Sequence, residues 1–386
     1  MERRMRILVT TAPSPGHFFP LVPFAWALRA RGHQVLVTMP EQFIAEAGRS
    51  GLPAVASVPP IDLRAAMDSG EGPHPSQREG ARDASVEHIG RGFGRLSELT
   101  VEGTVAVAER WAPDLVVSEP TEHSGAVAAA HRGVPLLRHN WGLELPPETE
   151  EIAADQMATT LARLGLPAPA KAELRVDICP ESLQRPGARP AQRMRFVPYS
   201  GASDTPPWLL EEPDRPRVCV TLGSVVPMIH GVQVLKELGE ELSGNDVETV
   251  IAVPDRFADE LGALPPGVRA AAWLPLGLLF THCTAVVHHG GIGTALTALA
   301  FGLPQVALPH MGDQHATADR LAAAGAAAVV RREDITPAAV ADALRRVRSE
   351  PGYAEGARAL RAENTAAPGL DEVAGLAEQL AGAQRK

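Results

Sequence analysis

Short apolar runs alternate with helical segments along the chain. The run "RILVTTA" at 6–12 ends in turn residues, which is typical of a strand buried on both faces of a sheet. A helical face with a period of 3.6 follows from Pro20 and ends at Gly32, and "QVLVTM" at 34–39 predicts the next strand. This strand–helix–strand order favours a parallel sheet with right-handed crossovers.

The same alternation continues and then starts again in the second half of the chain. "PDLVVS" at 113–118 and "VPLLRH" at 134–139 predict two more strands. Prolines and charges then interrupt the pattern at 200–217, as expected for a linker. After it, six further apolar runs predict strands at 217–224, 247–253, 269–275, 284–289, 304–309 and 326–330.

The sequence therefore predicts an α/β protein with two Rossmann-like parallel-sheet domains that face each other across a cleft. Ligands should bind in that cleft, at the carboxyl ends of the strands. We place an N-terminal domain at 1–205 and a C-terminal domain at 216–368. The last segment, 369–386, begins with the amphipathic helix "GLDEVAGLAEQLAG".

One segment, from Asp68 to Gly94, departs from the pattern. It is rich in Gly, Pro, His and Arg and has weak periodicity. These properties predict loops and irregular helix over a binding cleft. A disordered surface insertion is the alternative interpretation.

Composition and charge exclude several classes of protein. The 386 residues carry 36 basic and 46 acidic side chains, and the net charge of −10 disfavours nucleic acid and anionic membrane surfaces as partners. No window reaches the roughly 18 apolar residues that span a bilayer. Cys179, Cys219 and Cys283 form neither a disulfide framework nor a metal-binding spacing, which favours a reducing compartment. We expect a cytoplasmic protein.

Two polar residues directly follow predicted strands of the first domain. His17 lies in the loop after the first strand, and Glu119 follows "PDLVVS". A carboxylate beside an imidazole fixes the tautomer of the ring and stabilises its protonated form, which is how a histidine becomes a general base. The alternative is that His17 is a loop residue that packs on the first helix.

The stretch "VHHGGIGT" at 287–294 predicts a diphosphate site. Gly291 and Gly293 allow close approach of the backbone, and the following helix N-terminus offers free N–H groups to an anion. Thr294 adds a hydroxyl, and His288, which we expect at the rim of the site and not in the core, adds a hydrogen bond. The spacing matches neither the dinucleotide-binding fingerprint nor the P-loop. A glycine-rich turn without a ligand is the alternative.

Other strand ends carry weaker signals. Ser224, in the turn after "VCVTLG", is positioned to meet the same diphosphate. Asp313 and Gln314 can hydrogen-bond sugar hydroxyls, although Asp313 also suits a helix N-cap. Trp273 can pack against a nucleobase, but a tryptophan of the core or the domain edge remains open.

Several motifs of the sequence, taken together, resemble those of a known family. The motifs "GHFFP", "VCVTLGS", "WLPL", "VHHGGIGT", "ALAFGLPQVALP" and "GDQ" before "ADRL" occur in the order found in nucleotide-sugar glycosyltransferases of the GT-B fold. "DICPESLQ" and "MRFVPYSG" resemble the bacterial natural-product branch, which attaches deoxysugars to polyketides and other secondary metabolites. The likeness covers nearly the whole chain and is weak between 60 and 110, where acceptor recognition varies.

The resemblance implies that the domain at 1–205 binds the acceptor and that the domain at 216–368 binds the nucleotide sugar. It also implies a role for each matching residue. His17 matches the catalytic base, and Glu119 stands where many members carry the aspartate that orients it. The resemblance implies donor diphosphate binding by Ser224, His288, Gly291, Gly293 and Thr294. It also implies nucleobase binding by Trp273 and Leu274, and sugar binding by Asp313 and Gln314.

The implied reaction is direct displacement with inversion at the anomeric carbon and without a metal. The implied donor is a dTDP-linked sugar, with UDP as the alternative, and it acts as a co-substrate, so no other cofactor is expected. The implied acceptor is a small natural product such as a polyketide aglycone, and we expect a monomer or homodimer. The terminal helix would cross back to the first domain. Two alternatives stay open: a nucleotide-sugar epimerase of the same fold and a non-catalytic helper protein.

Overall fold

The chain folds into two α/β units, each built on a parallel sheet. The computed structural model describes residues 4–67, 86–224, 226–243 and 246–383. The first unit comprises Met1–Cys179, Arg185–Arg195 and Ala367–Lys386, and the second comprises Pro180–Gln184 and Phe196–Ala366. The predicted fold class, two Rossmann-like parallel-sheet domains, is confirmed.

The first unit contains a seven-stranded sheet in the order β3-β2-β1-β4-β5-β6-β7, with every described pair parallel. Its strands are β1 (Arg6–Thr10), β2 (Gln34–Met39), β3 (Ala54–Ala56), β4 (Leu115–Ser118), β5 (Leu136–His139), β6 (Leu174–Asp177) and β7 (Gln192–Arg193). The sequence predicted β1, β2, β4 and β5. It missed β3, β6 and β7, which are short and do not form sustained apolar runs.

Helices cover the first sheet. They are α1 (Pro15–Phe18), α2 (Val22–Ala30), α3 (Ile44–Arg49), α4 (Leu63–Met67), α5 (Val86–Trp111), α6 (Ser124–Arg132), α7 (Glu148–Gln156) and α8 (Ala158–Arg163). Single 3₁₀ turns lie at Phe19–Leu21 and Glu41–Phe43. The strand order reverses between β1 and β4, which is where open parallel sheets bind ligands.

The second unit contains a six-stranded sheet in the order β10-β9-β8-β11-β12-β13, also parallel. Its strands are β8 (Arg217–Thr221), β9 (Glu248–Ala252), β10 (Val268–Ala271), β11 (Cys283–His288), β12 (Gln305–Ala307) and β13 (Ala327–Val329). All six correspond to apolar runs predicted from the sequence. Valines of these strands and Ile251 form a buried core with the neighbouring helices, which explains why the runs are continuous.

The helices of the second half follow the same alternation. They are α9 (Val226–His230), α10 (Gln233–Leu242), α11 (Asp255–Ala258), α12 (Leu276–Leu279), α13 (Ile292–Ala300), α14 (Asp313–Ala323), α15 (Pro337–Ser349), α16 (Pro351–Ala366) and α17 (Leu370–Ala383). Single 3₁₀ turns lie at Pro207–Leu210, Asp259–Leu261, Phe280–His282 and Arg332–Asp334.

The interpretation of 68–94 as loops and irregular helix is wrong for its last part. Residues 68–85 lie outside the described residues, but 86–94 form the start of the regular helix α5. A Cβ on Gly90 would lie 2.8 Å from Cβ of Ile152, and one on Gly94 would lie 2.8 Å from Cβ of Gln156. The glycines therefore let α5 pack closely on α7, and this packing offsets their low helix propensity.

The boundaries between the two units differ from the predicted ones at 205, 216 and 368. In the structure the chain passes from the first unit to the second after residue 195 and returns to the first after residue 366. Residues 196–366 belong to the second unit, in which the N–H of Phe196 bonds Asn364 Oδ1 at 2.8 Å. The terminal helix α17 belongs to the first unit. There Arg31 pairs with Glu378 at 2.8 Å and with Asp371 at 2.7 Å.

Candidate functional site

His17 is presented by a short helix at the carboxyl end of β1. Pro15 begins α1, and the N–H groups of His17 and Phe18 bond Ser14 O at 3.1 and 3.0 Å. Phe18 is buried and anchors the turn, whereas the His17 side chain is 19% exposed. The prolines and glycine around His17 therefore form a tight helical turn that leaves the imidazole accessible.

The structure brings Glu119 to His17. Glu119 follows β4, the neighbour of β1, and its Oε1 lies 3.1 Å from Nδ1 of His17. The same oxygen accepts the N–H of Ala12 at 3.0 Å. Oε2 accepts the N–H of Thr121 at 2.7 Å and the indole N–H of Trp141 at 3.0 Å. The carboxylate is thus held at both oxygens, and its side chain is fully buried.

This environment keeps Glu119 ionised. Burial by itself raises the pKa of a carboxyl group. Here attraction and a hydrogen bond from His17, together with the N–H groups of Thr121 and Ala12, outweigh burial and lower the pKa of Glu119 to about 2. An ionised carboxylate can only accept hydrogen bonds, so Nδ1 of His17 carries the hydrogen that faces it. Nε2 is left with a lone pair, as a general base requires.

Two aromatic rings flank the imidazole. The Phe93 ring of α5 lies 5.6 Å from the His17 ring, and the Trp141 ring lies 5.2 Å from it, measured between centroids. Trp141 is buried, and its N–H is fixed by Glu119, so its ring position is tied to that of the carboxylate. The flanking rings limit the orientations open to the imidazole.

A buried arginine braces the loop that carries Glu119. Nη1 of Arg138, in β5, donates to Ser118 Oγ at 2.7 Å, to Glu119 O at 2.8 Å and to Glu122 O at 2.9 Å. Arg138 is 3% exposed. The loop after β4 is therefore held both by the Arg138 guanidinium and by the contacts of the Glu119 carboxylate.

In the second unit, sheet register places the two glycine turns side by side. His288, the last residue of β11, is the register partner of Thr221, the last residue of β8. The turn at Gly223 and Ser224 therefore lies next to the turn at 289–291. On the other side His288 pairs with Ala307 of β12, the strand that precedes α14. Three of the four predicted donor-binding segments therefore follow adjacent strands, β8, β11 and β12.

His288 was expected at the rim of this site, and that placement is wrong. The ring is fully buried, and its Nε2 lies 2.7 Å from Gln305 Oε1. Its Nδ1 accepts the N–H of Gly290 at 3.0 Å. Burial, partly offset by the bond to Gln305, lowers the pKa of His288 to about 4, so the ring is neutral. Both ring nitrogens are used to hold the turn.

His289 is the imidazole between the two glycine turns. A Cβ on Gly223 would lie 2.5 Å from its Cε1, and a Cβ on Gly291 would lie 2.2 Å from its Nε2. Gly223 also has a φ of +66°, which favours glycine. Burial, with repulsion from the histidines 288 and 310, lowers the pKa of His289 to about 3. The position of the His289 ring therefore explains why residues 223 and 291 are glycines.

The helix that follows, α13, begins at this edge. Gly291 is its N-cap, in an extended conformation, and no side chain caps the helix. Gly293 has open space where a Cβ would be, and Thr294 is half-buried in the first turn. Free N–H groups at the start of a nine-residue helix suit an anion.

Gln314 and Asp313 have different surroundings. Oε1 of buried Gln314 accepts the N–H of His310 at 2.9 Å and that of Met311 at 3.3 Å. Asp313 is exposed and is the first residue of α14, and Gly312 is the N-cap. The alternative that Asp313 caps the helix is therefore wrong.

The predicted nucleobase residues lie at the end of β10, two strands away from β8 in the sheet. Trp273 is partly buried, and its indole N–H donates to Ser200 O. Its backbone N–H donates to Asp255 Oδ1 at 2.7 Å. Leu274 is buried in an apolar cluster with Leu279 and is part of the core.

Because the His288 ring is buried, we expect its loss to affect stability as well as ligand binding. His288→Ala leaves the buried Gln305 oxygen without a donor, which costs about 1–3 kcal/mol in the free energy of unfolding. Urea unfolding measures this loss. The double variant His288→Leu/Gln305→Leu, with both partners apolar, should recover part of it. Unchanged stability in His288→Ala would contradict the described contacts.

Sequence reasoning missed several residues of the two sites. Thr121 and Trp141 bond Glu119, Arg138 braces its loop, Phe93 flanks His17, and His289 fills the space between the glycine turns. The available signal was position: Thr121 and Trp141 each follow a predicted strand by a few residues. Their side-chain directions are not readable from an apolar run.

Two negative findings concern the described part of the chain. No helix in it is both long and apolar enough to cross a membrane. Within the same residues, no group of three or more His, Cys, Asp or Glu side chains is arranged to hold a metal ion.

Comparison with known proteins gives consistent matches. Residues 26–223 and 234–380 match the N-terminal and C-terminal domains of the family described as erythromycin biosynthesis protein CIII-like. L-demethylnoviosyl transferase of Streptomyces niveus is 38% identical, over 99% of each chain. The 3-alpha-mycarosylerythronolide B desosaminyl transferase of Saccharopolyspora erythraea is 31% identical, over 99% of this chain and 100% of its own.

A solved structure has the same fold. The Streptomyces sp. SF2575 glycosyltransferase SsfS6, complexed with thymidine diphosphate, matches with a TM-score of 0.84 and 36% identity. The match covers 97% of this chain and 100% of that one.

Proposed function

The chain belongs to the erythromycin biosynthesis protein CIII-like family, and on that premise we propose that it transfers a deoxysugar from a dTDP-linked donor to a polyketide-type aglycone. The named relatives transfer sugars, and SsfS6 was solved with thymidine diphosphate, which supports this donor. The observation that carries the proposal is the contact between His17 and the ionised, fully buried carboxylate of Glu119.

In the proposed reaction, His17 acts as general base. Nε2 takes the proton of an acceptor hydroxyl as the acceptor oxygen attacks the anomeric carbon of the sugar. The bond from that carbon to the diphosphate oxygen breaks, and dTDP leaves with the bonding electrons. A single displacement of this kind inverts the configuration at the anomeric carbon. Glu119 stabilises the positive charge that develops on the imidazole.

The second unit holds the donor in this proposal. The N-terminus of α13, with Gly293 and Thr294, offers N–H and hydroxyl donors to the diphosphate, and Ser224 lies in the adjacent turn. These groups would stabilise the negative charge of departing dTDP. Asp313, exposed at the start of α14, is assigned to the sugar hydroxyls. The nucleobase is assigned to the segment of Trp273 and Leu274.

We expect dTDP to bind and stabilise the protein. At 100 times its dissociation constant a ligand adds about 2.7 kcal/mol to the free energy of unfolding. Thermal unfolding should therefore shift upward with dTDP, less with UDP, and not with inorganic phosphate at equal ionic strength. A shift with UDP alone would contradict the donor assignment.

A metal-free reaction predicts full activity in the presence of EDTA.

A further inference from the structure

Thr121 lies within hydrogen-bond distance of both members of the base pair. Its Oγ1 lies 2.9 Å from Nδ1 of His17, closer than the 3.1 Å that separates this nitrogen from Glu119 Oε1. The same Oγ1 lies 2.9 Å from Oε1 and 2.8 Å from Oε2 of Glu119. The hydroxyl therefore stands between the imidazole and the carboxylate.

The hydrogen count fixes the direction of each bond. Ionised Glu119 has no hydrogen to donate, so Nδ1 of His17, which faces it, carries a hydrogen. The single hydroxyl hydrogen of Thr121 then points to the carboxylate. The lone pairs of Oγ1 then accept the N–H of His17. Both neighbours of Nδ1 are acceptors, and both favour the tautomer in which Nδ1 carries the hydrogen.

The position of the hydroxyl is fixed independently of His17. Thr121 is 2% exposed, and its own backbone N–H donates to Glu119 Oε2 at 2.7 Å. The carboxylate also receives N–H groups from Ala12 and Trp141. Glu119 is thus shared among several donors, whereas the Thr121 oxygen is a second acceptor available to the imidazole.

Other charged or titratable groups near this loop have their own partners. Glu122 accepts hydrogen bonds from Gly125 N and from the hydroxyls of Thr10 and Ser124, and burial raises its pKa. Burial, together with repulsion from Arg138, lowers the pKa of His123 to about 4. Arg138 donates to backbone carbonyls of the loop. Glu119 is the charged group that contacts the His17 ring.

We propose that Thr121 is a positioning residue for the reaction: its hydroxyl accepts the Nδ1–H of His17, donates to Glu119, and so keeps the Nε2 lone pair directed at the acceptor. The proposal rests on the function proposed above for His17. Glu119 has a longer side chain than the aspartate that many family members carry at this place. The Thr121 hydroxyl connects this longer side chain to the imidazole through two hydrogen bonds.

The test compares Thr121→Val, which removes the hydroxyl at nearly constant shape, with Thr121→Ser, which keeps it. A matched control is Thr100→Val, since Thr100 is a buried threonine of α5 whose hydroxyl donates to the carbonyls of Leu96 and Ser97. Thr121→Val should lower kcat about 3- to 10-fold, the usual effect of one hydrogen bond. The KM for the dTDP-sugar should stay unchanged, and Thr121→Ser should restore kcat.

A second measurement does not need turnover. Imidazole ¹⁵N NMR of the unliganded protein reports the tautomer, with the His17 signals identified by their loss in His17→Ala. The wild type, Thr121→Ser and Thr100→Val should show hydrogen on Nδ1. Thr121→Val, which keeps Glu119 but loses the second acceptor, should show a lower fraction of hydrogen on Nδ1. A Thr121→Val protein with the wild-type tautomer, or kcat loss equal in the Val and Ser variants, would overturn the proposal. If no dTDP-sugar is turned over, the function fails but the NMR result still decides the role of Thr121.

Discussion

His17→Ala is expected to lower kcat by about 10²- to 10⁴-fold, the usual contribution of a general base. The ring is lost from the first unit, whereas the proposed donor site lies in the second. Binding of dTDP, measured by calorimetry, should therefore stay near the wild-type value.

A suitable control is His131→Ala. His131 is in α6 of the same unit and pairs with Glu109 at 2.9 Å on the surface. This variant should keep the wild-type kcat. Near-normal turnover by His17→Ala on a hydroxyl acceptor would contradict the role of His17 as general base. His17 would then be a packing residue.

Glu119→Ala should cost about 3 kcal/mol or more in the free energy of unfolding. Removal of the carboxylate leaves the N–H groups of Ala12, Thr121 and Trp141 without their acceptor. Each buried donor left unpaired costs about 1–3 kcal/mol. Urea unfolding measures the loss. Glu151→Ala, at an exposed position of α7, is the control and should change stability by less than about 0.5 kcal/mol.

The pH dependence of this effect has a defined sign. The pKa of Glu119 is lowered from 4.5 to about 2 in the folded chain, so its ionisation stabilises the fold above pH 4.5. That contribution disappears as the pH falls towards about 2. The stability difference between the wild type and Glu119→Gln should therefore shrink in acid. A difference that grows as the pH falls would contradict an ionised Glu119.

The sequence was most informative where burial on both faces imposes a continuous apolar run. Strands β4 and β11 were predicted for this reason, and their ends carry Glu119 and His288. Strand β6, at Leu174–Asp177, was missed because it alternates apolar and charged residues over four positions. The start of α5 was missed because glycine propensity disfavours a helix, and close packing on α7 is not visible in a local pattern.

The sites could be predicted by position but not by side-chain direction. Strand order explains why His17 and Glu119 meet, since β1 and β4 are neighbours. The burial of His288 depends on Gln305, 17 residues further on, which is fixed by the pairing of β11 with β12. Thr121 was overlooked because its role depends on the distances to two side chains, and spacing along the chain does not determine these distances.

The most direct test of glycosyl transfer is the release of dTDP from a dTDP-deoxysugar, measured by chromatography with and without a panel of polyketide aglycones. We predict that an accepted aglycone raises dTDP release, that one glycosylated product forms per dTDP, and that His17→Ala loses both. Conversion of the donor into another dTDP-sugar without an aglycone would contradict transfer and indicate an epimerase.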